Sequence, residues 1–309
     1  MILSENPVPT FRDHAVTRSY LFVPADSERK LAKGAESRAD ALILDLEDSV
    51  AADRKAGARE TALAYLKHHA AMANRPQLVV RVNALDTDLT DADLDAVVAG
   101  RPDAILLPKA EGGAAVTHLD AKLTAREALH GLPDGAIKIL ALATETAASL
   151  FLCGTYRNAS PRLTGITWGA EDLSAELGAE TNRDEAGRFT SPYWLARNLS
   201  LAAASAARVA AIDTVYADFR NMDGLRAEAR EARRDGFSAK MAIHPAQVAI
   251  INEVFTPAPD EIAKAQAVVQ AFADNPAAGV VAIGGVMYDR PHLTRAQRLL
   301  ARVQSSAKT

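Results

Sequence analysis

Ile137-Lys-Ile-Leu-Ala-Leu-Ala-Thr-Glu145-Thr146 and Leu163-Thr-Gly-Ile-Thr-Trp-Gly-Ala-Glu171-Asp172-Leu173 decide how this chain is read. Each is a short apolar run that closes on an acid. Such a run reads as a buried parallel strand, and the residues just past it stand at the strand's carboxyl end. In a barrel of alternating strands and helices that end is the face where chemistry is done. Two carboxylates delivered there by consecutive strands are hard oxygen ligands suited to Mg2+. The same residues also read as acids that cap the next helices. The two runs alone leave both readings open.

Outward from these runs the rhythm repeats. Further strands are expected at Ser19–Val23, Ala41–Asp45, Leu78–Val82, Ala104–Leu107, Ile212–Tyr216 and Ala239–Ile243, beside Ile137–Leu142 and Gly165–Trp168. Amphipathic stretches fill the gaps, among them Arg54–Ala73, Gly113–Leu129, Pro192–Ala211 and Gly224–Asp235. Strand–helix pairs at this spacing predict an α/β chain folded as a TIM (β/α)8 barrel over residues 18–256. A doubly wound open sheet has a similar rhythm, but no Gly-rich dinucleotide loop comes after any strand. Residues 1–17 read as a loose leader without a signal-peptide core. Residues 257–309 read as a C-terminal helical extension that packs on the barrel or on a neighbouring subunit. It contains a Gly284-Gly285 turn and a basic amphipathic helix, His292–Val303.

Composition narrows the function. A hydrophobic share of 49% over 309 residues supplies a large core, and a net charge of -4 gives no reason to expect nucleic acid or a membrane surface as partner. A single cysteine, Cys153, excludes an intrachain disulfide framework and suits a reducing, cytoplasmic setting. No apolar stretch approaches the ~20 residues of a membrane span. The histidines show no metal-site spacing, and no Gly-x-Ser-x-Gly elbow is present.

The residues just past each strand carry the chemistry. Pro24 to Lys30 succeed the first strand, and Asp45, Glu47 and Asp48 close the second. Then come Arg81 and Asn83, Pro108 and Lys109, Glu145, Glu171 and Asp172, and finally Lys240 and His244. A barrel does not need charge at one end of nearly every strand for its stability, so a catalytic cup is expected. Arg81, set among valines, needs a planar partner: a substrate carboxylate, or Asp45 or Glu47 of the chain itself. Lys109 reads as a cation that answers these acids, and not as a Schiff-base amine.

The ordered motifs Arg18-Ser-Tyr-Leu-Phe-Val-Pro24, Leu44-Asp-Leu-Glu-Asp-Ser-Val50, Arg81-Val-Asn83, Leu107-Pro-Lys109, Glu145-Thr146, Gly169-Ala-Glu-Asp-Leu173, Gly236-Phe-Ser-Ala-Lys-Met-Ala-Ile-His-Pro245 and Met287-Tyr-Asp-Arg-Pro291 resemble one family. It is the citrate lyase beta subunit–like, or HpcH/HpaI aldolase, family, which includes malyl-CoA, methylmalyl-CoA and citramalyl-CoA lyases. The resemblance implies a carbon–carbon lyase acting on a CoA thioester such as malyl-, citramalyl- or citryl-CoA, with an acyl-CoA and a 2-oxo acid as products. It implies Mg2+, or Mn2+, on Glu145 and Asp172, with Arg81 and Glu145 facing the substrate. Phosphate contacts of coenzyme A are expected near Lys30 and Lys240. Asp289 is the expected general acid/base, acting from a neighbouring subunit, with Asp45 as a second candidate. The same resemblance implies a homotrimer or hexamer. A thioester hydrolase on the same scaffold, or a carrier-dependent citryl lyase subunit, are the alternatives. The chain departs from the family pattern in Leu142-Ala-Thr-Glu145 and in Gly285-Val-Met-Tyr-Asp289, which leaves the acyl group open.

Overall fold

The computed structural model describes residues 17–72 and 74–306. The leader expected over residues 1–17 lies, Thr17 apart, outside the described residues. The chain divides into two compact units, Arg18–Phe255 and, at the C-terminal side, Thr256–Thr309.

In the first unit eight parallel strands close into a barrel. They are β1 (Ser19–Pro24), β2 (Ala41–Asp45), β3 (Gln77–Arg81), β4 (Ala104–Leu107), β5 (Lys138–Leu142), β6 (Leu163–Thr167), β7 (Ala210–Asp213) and β8 (Ala239–Ala242). Closure comes from β1 pairing with β8, Ser19 opposite Lys240. The TIM-barrel expectation therefore holds, and the open sheet does not. Side-chain alternation sorts each strand. Tyr20, Ile43, Val79, Leu106, Leu140, Leu142, Ile212 and Met241 fill the barrel interior. Leu21, Leu42, Leu44, Val80, Ile105 and Ile139 face the surrounding helices. Gly165 faces the interior from β6 and has no room for a side chain, since a Cβ there would sit 2.8 Å from Leu140 and 2.9 Å from Ile212.

Two segments differ from the sequence expectation. The helix expected at Pro192–Ala211 runs Ser191–Ala207 and ends at left-handed Arg208, so Ala210 and Ala211 start β7 instead. Alanine's helix preference extended the pattern too far, and burial against β6 and β8 overrode it. Between β6 and that helix lie a short helix, Glu171–Leu177, and a turn bridged at Arg183 and Phe189. Both were too short to show a period.

In the second unit, helix Pro259–Asp274 and helix Arg290–Ser306 pack with an antiparallel pair, β9 (Val280–Ile283) and β10 (Val286–Asp289). Gly284 and Gly285, both at positive φ, make the two-residue turn between them. Among the described residues no helix is long and apolar enough to cross a membrane.

Candidate active site

The carboxyl rim of the barrel gathers charge from β2 to β6. Asp45 ends β2 on the interior side, because Ala41 and Ile43 point inward and the alternation continues. Arg81 ends β3 in the same way. Its guanidinium grips Asp45 side-on, with Nε donating to Oδ1 at 2.7 Å and Nη2 to Oδ2 at 2.6 Å. Its Nη1 lies 2.8 Å from Glu47 Oε2, and its carbon sits 4.8 Å from the centre of the Phe22 ring. One N–H on each Nη remains for a further acceptor. Burial raises the Asp45 carboxyl, but its bonds from Arg81 outweigh this and hold it below the usual carboxylate range.

Glu47 links two cations. Its Oε1 accepts from Lys109 Nζ at 2.7 Å, opposite the contact to Arg81. Its backbone is clamped from below: Lys55 Nζ donates to the carbonyls of Leu46 at 2.8 Å and Glu47 at 3.0 Å, and to Asn83 Oδ1 at 2.8 Å. Burial pushes the Glu47 carboxyl up despite Arg81 and Lys109.

Lys109 stands just past β4 in the left-handed region, with φ of 47°. That conformation is uncommon for a residue with a Cβ and accompanies functional geometry. Here it turns the backbone N–H onto Glu145, donating to Oε2 at 2.7 Å. The Lys109 ammonium lies 3.6 Å from Asp172 Oδ1 and 3.8 Å from Asp48 Oδ2. Burial lowers its affinity for a proton, but Glu47, Glu145 and Asp172 outweigh that, so it stays an ammonium. An amine so held is no Schiff-base nucleophile.

Glu145 leaves β5 into the cap of helix Ala147–Leu152, where Thr146 accepts from the Ser149 N–H at 3.1 Å. It is 3% exposed. Burial, then the charges of Asp172 and Glu47, push its carboxyl up to about 8. Gly169, after β6, makes the room: a Cβ there would stand 2.9 Å from Glu145 Cγ and 3.2 Å from its Oε1. Asp172, half-buried, opens the helix Glu171–Leu177. Tied to that helix, Glu176 accepts from the Ala147 N–H at 2.9 Å, which couples the segments that carry Glu145 and Asp172.

Among the described residues no three His, Cys, Asp or Glu side chains cluster closely enough to enclose an ion. Mg2+ does not need such a cage; one or two carboxylates, water and substrate suffice. A carboxylate driven toward its neutral form by burial first, and next by a second carboxylate, is an electrostatic vacancy that a divalent cation relieves. Glu145 and Asp172 therefore fit the metal.

The other sequence candidates fall elsewhere. Lys30 is exposed on the first turn of helix Glu28–Glu36, just after β1, and its side chain stands open to solvent. Lys240 is a correction. It lies within β8 on the side facing the helices and is fully buried, with Nζ on Asp213 at 2.7 Å and on Glu228 at 2.9 Å. An ammonium enclosed by two carboxylates is not offered to a phosphate. Alternation would have shown this, since Ala239 and Met241 take the interior. Asp45 as a proton acceptor is corrected too, because a carboxylate held side-on by arginine is a poor base. Asp289 ends β10 in the second unit, where it accepts from the ring and backbone of His292, and these bonds hold its carboxyl low. Two residues of the site, Gly169 and Lys55, escape a reading of the sequence. Gly169 had a signal, a glycine between a strand and an acidic pair, whereas Lys55 looked like any helix-surface lysine.

The model of the HpcH/HpaI aldolase/citrate lyase family matches residues 18–245. The chain belongs to this family. Within it, a (3S)-malyl-CoA thioesterase of Cereibacter sphaeroides is 38% identical over 94% of this chain and 95% of its own length. A citrate lyase subunit beta of Leuconostoc mesenteroides is 34% identical over 92% of each. The structure of CitE from Mycobacterium tuberculosis in complex with magnesium, acetoacetate and coenzyme A superposes with a TM-score of 0.74. That relative is 32% identical and the match covers 95% of this chain and 99% of CitE. The family shares the barrel, and its members named here are enzymes of citrate lyase beta or malyl-CoA thioesterase type.

Proposed function

We propose that this chain is a Mg2+-dependent carbon–carbon lyase that cleaves, or in reverse forms, a 3-hydroxy-carboxyacyl-CoA such as malyl-, citramalyl- or citryl-CoA. The observation that carries the proposal is the buried Glu145 carboxylate, destabilised by Asp172, on the same rim as Arg81. CitE, bound to magnesium, acetoacetate and coenzyme A, supports the cofactor and the substrate class.

Glu145 and Asp172 would hold the metal, which supplies a Lewis acid for the oxygens of the 2-oxo acid. Arg81 offers its remaining Nη donors to the carboxylate of that acid. Asp45 and Glu47 fix the plane of the guanidinium, so little rotamer freedom is lost on binding. In cleavage a base removes the hydroxyl proton, the carbon–carbon bond breaks, and the acyl-CoA leaves as its enolate, which is then protonated. Asp289 is the proposed acid/base; its bonds from His292 keep it ionised but lower its basicity, so the role calls for those bonds to be given up when the substrate is bound. Lys30, exposed beyond β1, is the proposed contact for a coenzyme A phosphate. We take the working assembly to be a homotrimer or hexamer.

A thioesterase is the second reading, and the 38% identity to a (3S)-malyl-CoA thioesterase favours it. Such an enzyme adds water across the thioester and releases malate and free CoA. A screen with malyl-, citramalyl- and citryl-CoA separates the two, with Mg2+ and with EDTA, detecting 2-oxo acid and free CoA. Metal-dependent release of a 2-oxo acid is the expected result. Free CoA without 2-oxo acid would replace the lyase with the hydrolase.

A further inference from the structure

Lys109 has two attachments to the rim that its sequence position does not explain. Its backbone N–H holds Glu145 at 2.7 Å, and its ammonium stands between Glu47 at 2.7 Å and Asp172 at 3.6 Å. The first attachment belongs to the main chain and would survive any side chain. The second places a fixed positive charge against one of the carboxylates that would hold the metal.

The rim's charge makes this consequential. Asp45, Glu47, Asp48, Glu145 and Asp172 outnumber Arg81, Lys109 and Lys55, whose ammonium is held on the backbone carbonyls of Leu46 and Glu47. Arg81 pairs with Asp45 and Glu47, and Lys109 is the cation in contact with Asp172 among the described ion pairs. A divalent ion approaching Asp172 meets this ammonium, and like charges a few ångströms apart in a partly desolvated cup repel. Glu47 holds the ammonium in place and prevents it from simply swinging away.

We propose that the Lys109 ammonium is a resident counter-cation that opposes the divalent metal at Asp172 and holds its affinity down. Lys109 is thus a positioning residue that acts through Asp172, and the metal binds weakly until the anionic substrate adds its own negative charge. The weakness has a use: a 2-oxo acid arriving with the ion supplies the ligand oxygens that the two carboxylates do not, so metal and substrate bind cooperatively. The inference rests on the metal reading of Glu145 and Asp172.

Titration calorimetry of the full chain with Mg2+ alone, without substrate, tests it. Lys109→Met and Lys109→Gln keep the backbone N–H and remove the charge; Lys109→Arg keeps the charge. The two neutral variants should bind Mg2+ more tightly, on the order of tenfold, within the range of coupling between charged groups of one site. Lys109→Arg should stay within about threefold of wild type, as a retained charge requires. A lysine that merely supported the loop would give the opposite sign, because its loss would loosen Glu145 and weaken the ion. Equal or weaker binding by the neutral variants would therefore overturn the inference. Glu145→Ala, titrated alongside, tests the underlying reading separately: binding that survives this change would remove the metal from Glu145, whatever Lys109 does.

Discussion

Glu145 concentrates the argument at the scale of one residue. Its carboxyl is pushed up to about 8, against an ordinary value near 4.5, by burial and by Asp172 and Glu47. The sign comes from proton linkage. Between those two values the folded chain binds more protons than the unfolded one, so the contribution of Glu145 to stability is full at low pH and is lost as pH rises through the window. A metal ion on Glu145 displaces that proton and removes the loss. Added Mg2+ should therefore raise Tm more at pH 8.5 than at pH 6, and Glu145→Ala should abolish both the pH dependence of that gain and Mg2+-dependent turnover. A variant with normal Mg2+-dependent activity would end the assignment. Arg81 gives a second test. Arg81→Lys removes the side-on grip on Asp45 and the remaining forked donors. Steady-state kinetics should show KM raised and kcat lowered, with kcat/KM down roughly 100-fold, the scale of losing one charged hydrogen bond plus its alignment. These two acids and the arginine were legible because each interrupts or closes an apolar run. That Arg81 would spend most of its donors on Asp45 and Glu47 was legible only as one of two choices. Strand register decides it, by setting Asp45 opposite Arg81.

At the scale of elements, the barrel was legible and its charged wall was not. Apolar runs, their spacing and the acids at their ends placed seven of the strands to within a residue or two, because a parallel strand buried on both faces has few other compositions; β7, expected at Ile212–Tyr216, runs Ala210–Asp213 and ends three residues earlier. Lys240 misled because a lysine in a strand resembles a rim residue until the face it takes is known. It lies between β8 and the helices, where Asp213 at 2.7 Å also accepts from Trp168 Nε1 at 2.9 Å, and where Glu228 also accepts from Arg183 at 2.8 Å. The chain Asp213–Lys240–Glu228–Arg183 ties β7 and β8 to the turn after Asp172's helix, where Asn182 donates to Glu171 at 2.9 Å. Removing one partner of a buried pair leaves an uncompensated charge. Glu228→Ala should cost roughly 3 kcal/mol of unfolding free energy in urea. Glu228→Gln, which keeps one acceptor for Lys240, should cost less. Equal stability of wild type and Glu228→Ala would show that Asp213 alone satisfies Lys240. Gly169 makes a related point about β6. Gly169→Ala puts a methyl 2.9 Å from Glu145 Cγ and 3.1 Å from Leu142 Cδ2, so Mg2+ affinity measured by calorimetry should fall even though no ligand has been removed.

At the scale of the whole molecule the proposed chemistry is divided between the two units. Arg18–Phe255 carries Arg81, Lys109, Glu145 and Asp172, whereas Asp289 stands on β10 in the C-terminal unit, its carboxylate oriented by His292. The sequence showed that Asp289 comes after a Gly-Gly turn and belongs outside the barrel. It could not show which barrel the aspartate serves, because pairing between copies leaves no trace in local periodicity. Function supplies the missing information. Asp289→Asn should lower kcat at least 100-fold while Mg2+ affinity stays at the wild-type value, the split expected of a group that moves a proton and holds no ion. Glu145→Ala and Asp289→Ala chains, each inactive alone, should then partly recover activity after mixing under conditions where subunits exchange. If exchange is random and the two residues act from different chains, some sites in the mixed assemblies receive both intact residues, and recovery should approach about a quarter of wild type in a simple two-component mixture. If both residues act from one chain, every site lacks one of them and mixing restores nothing. Recovery after demonstrated exchange would make the assembly part of the active site. Its absence would return Asp289 to the chain that carries it.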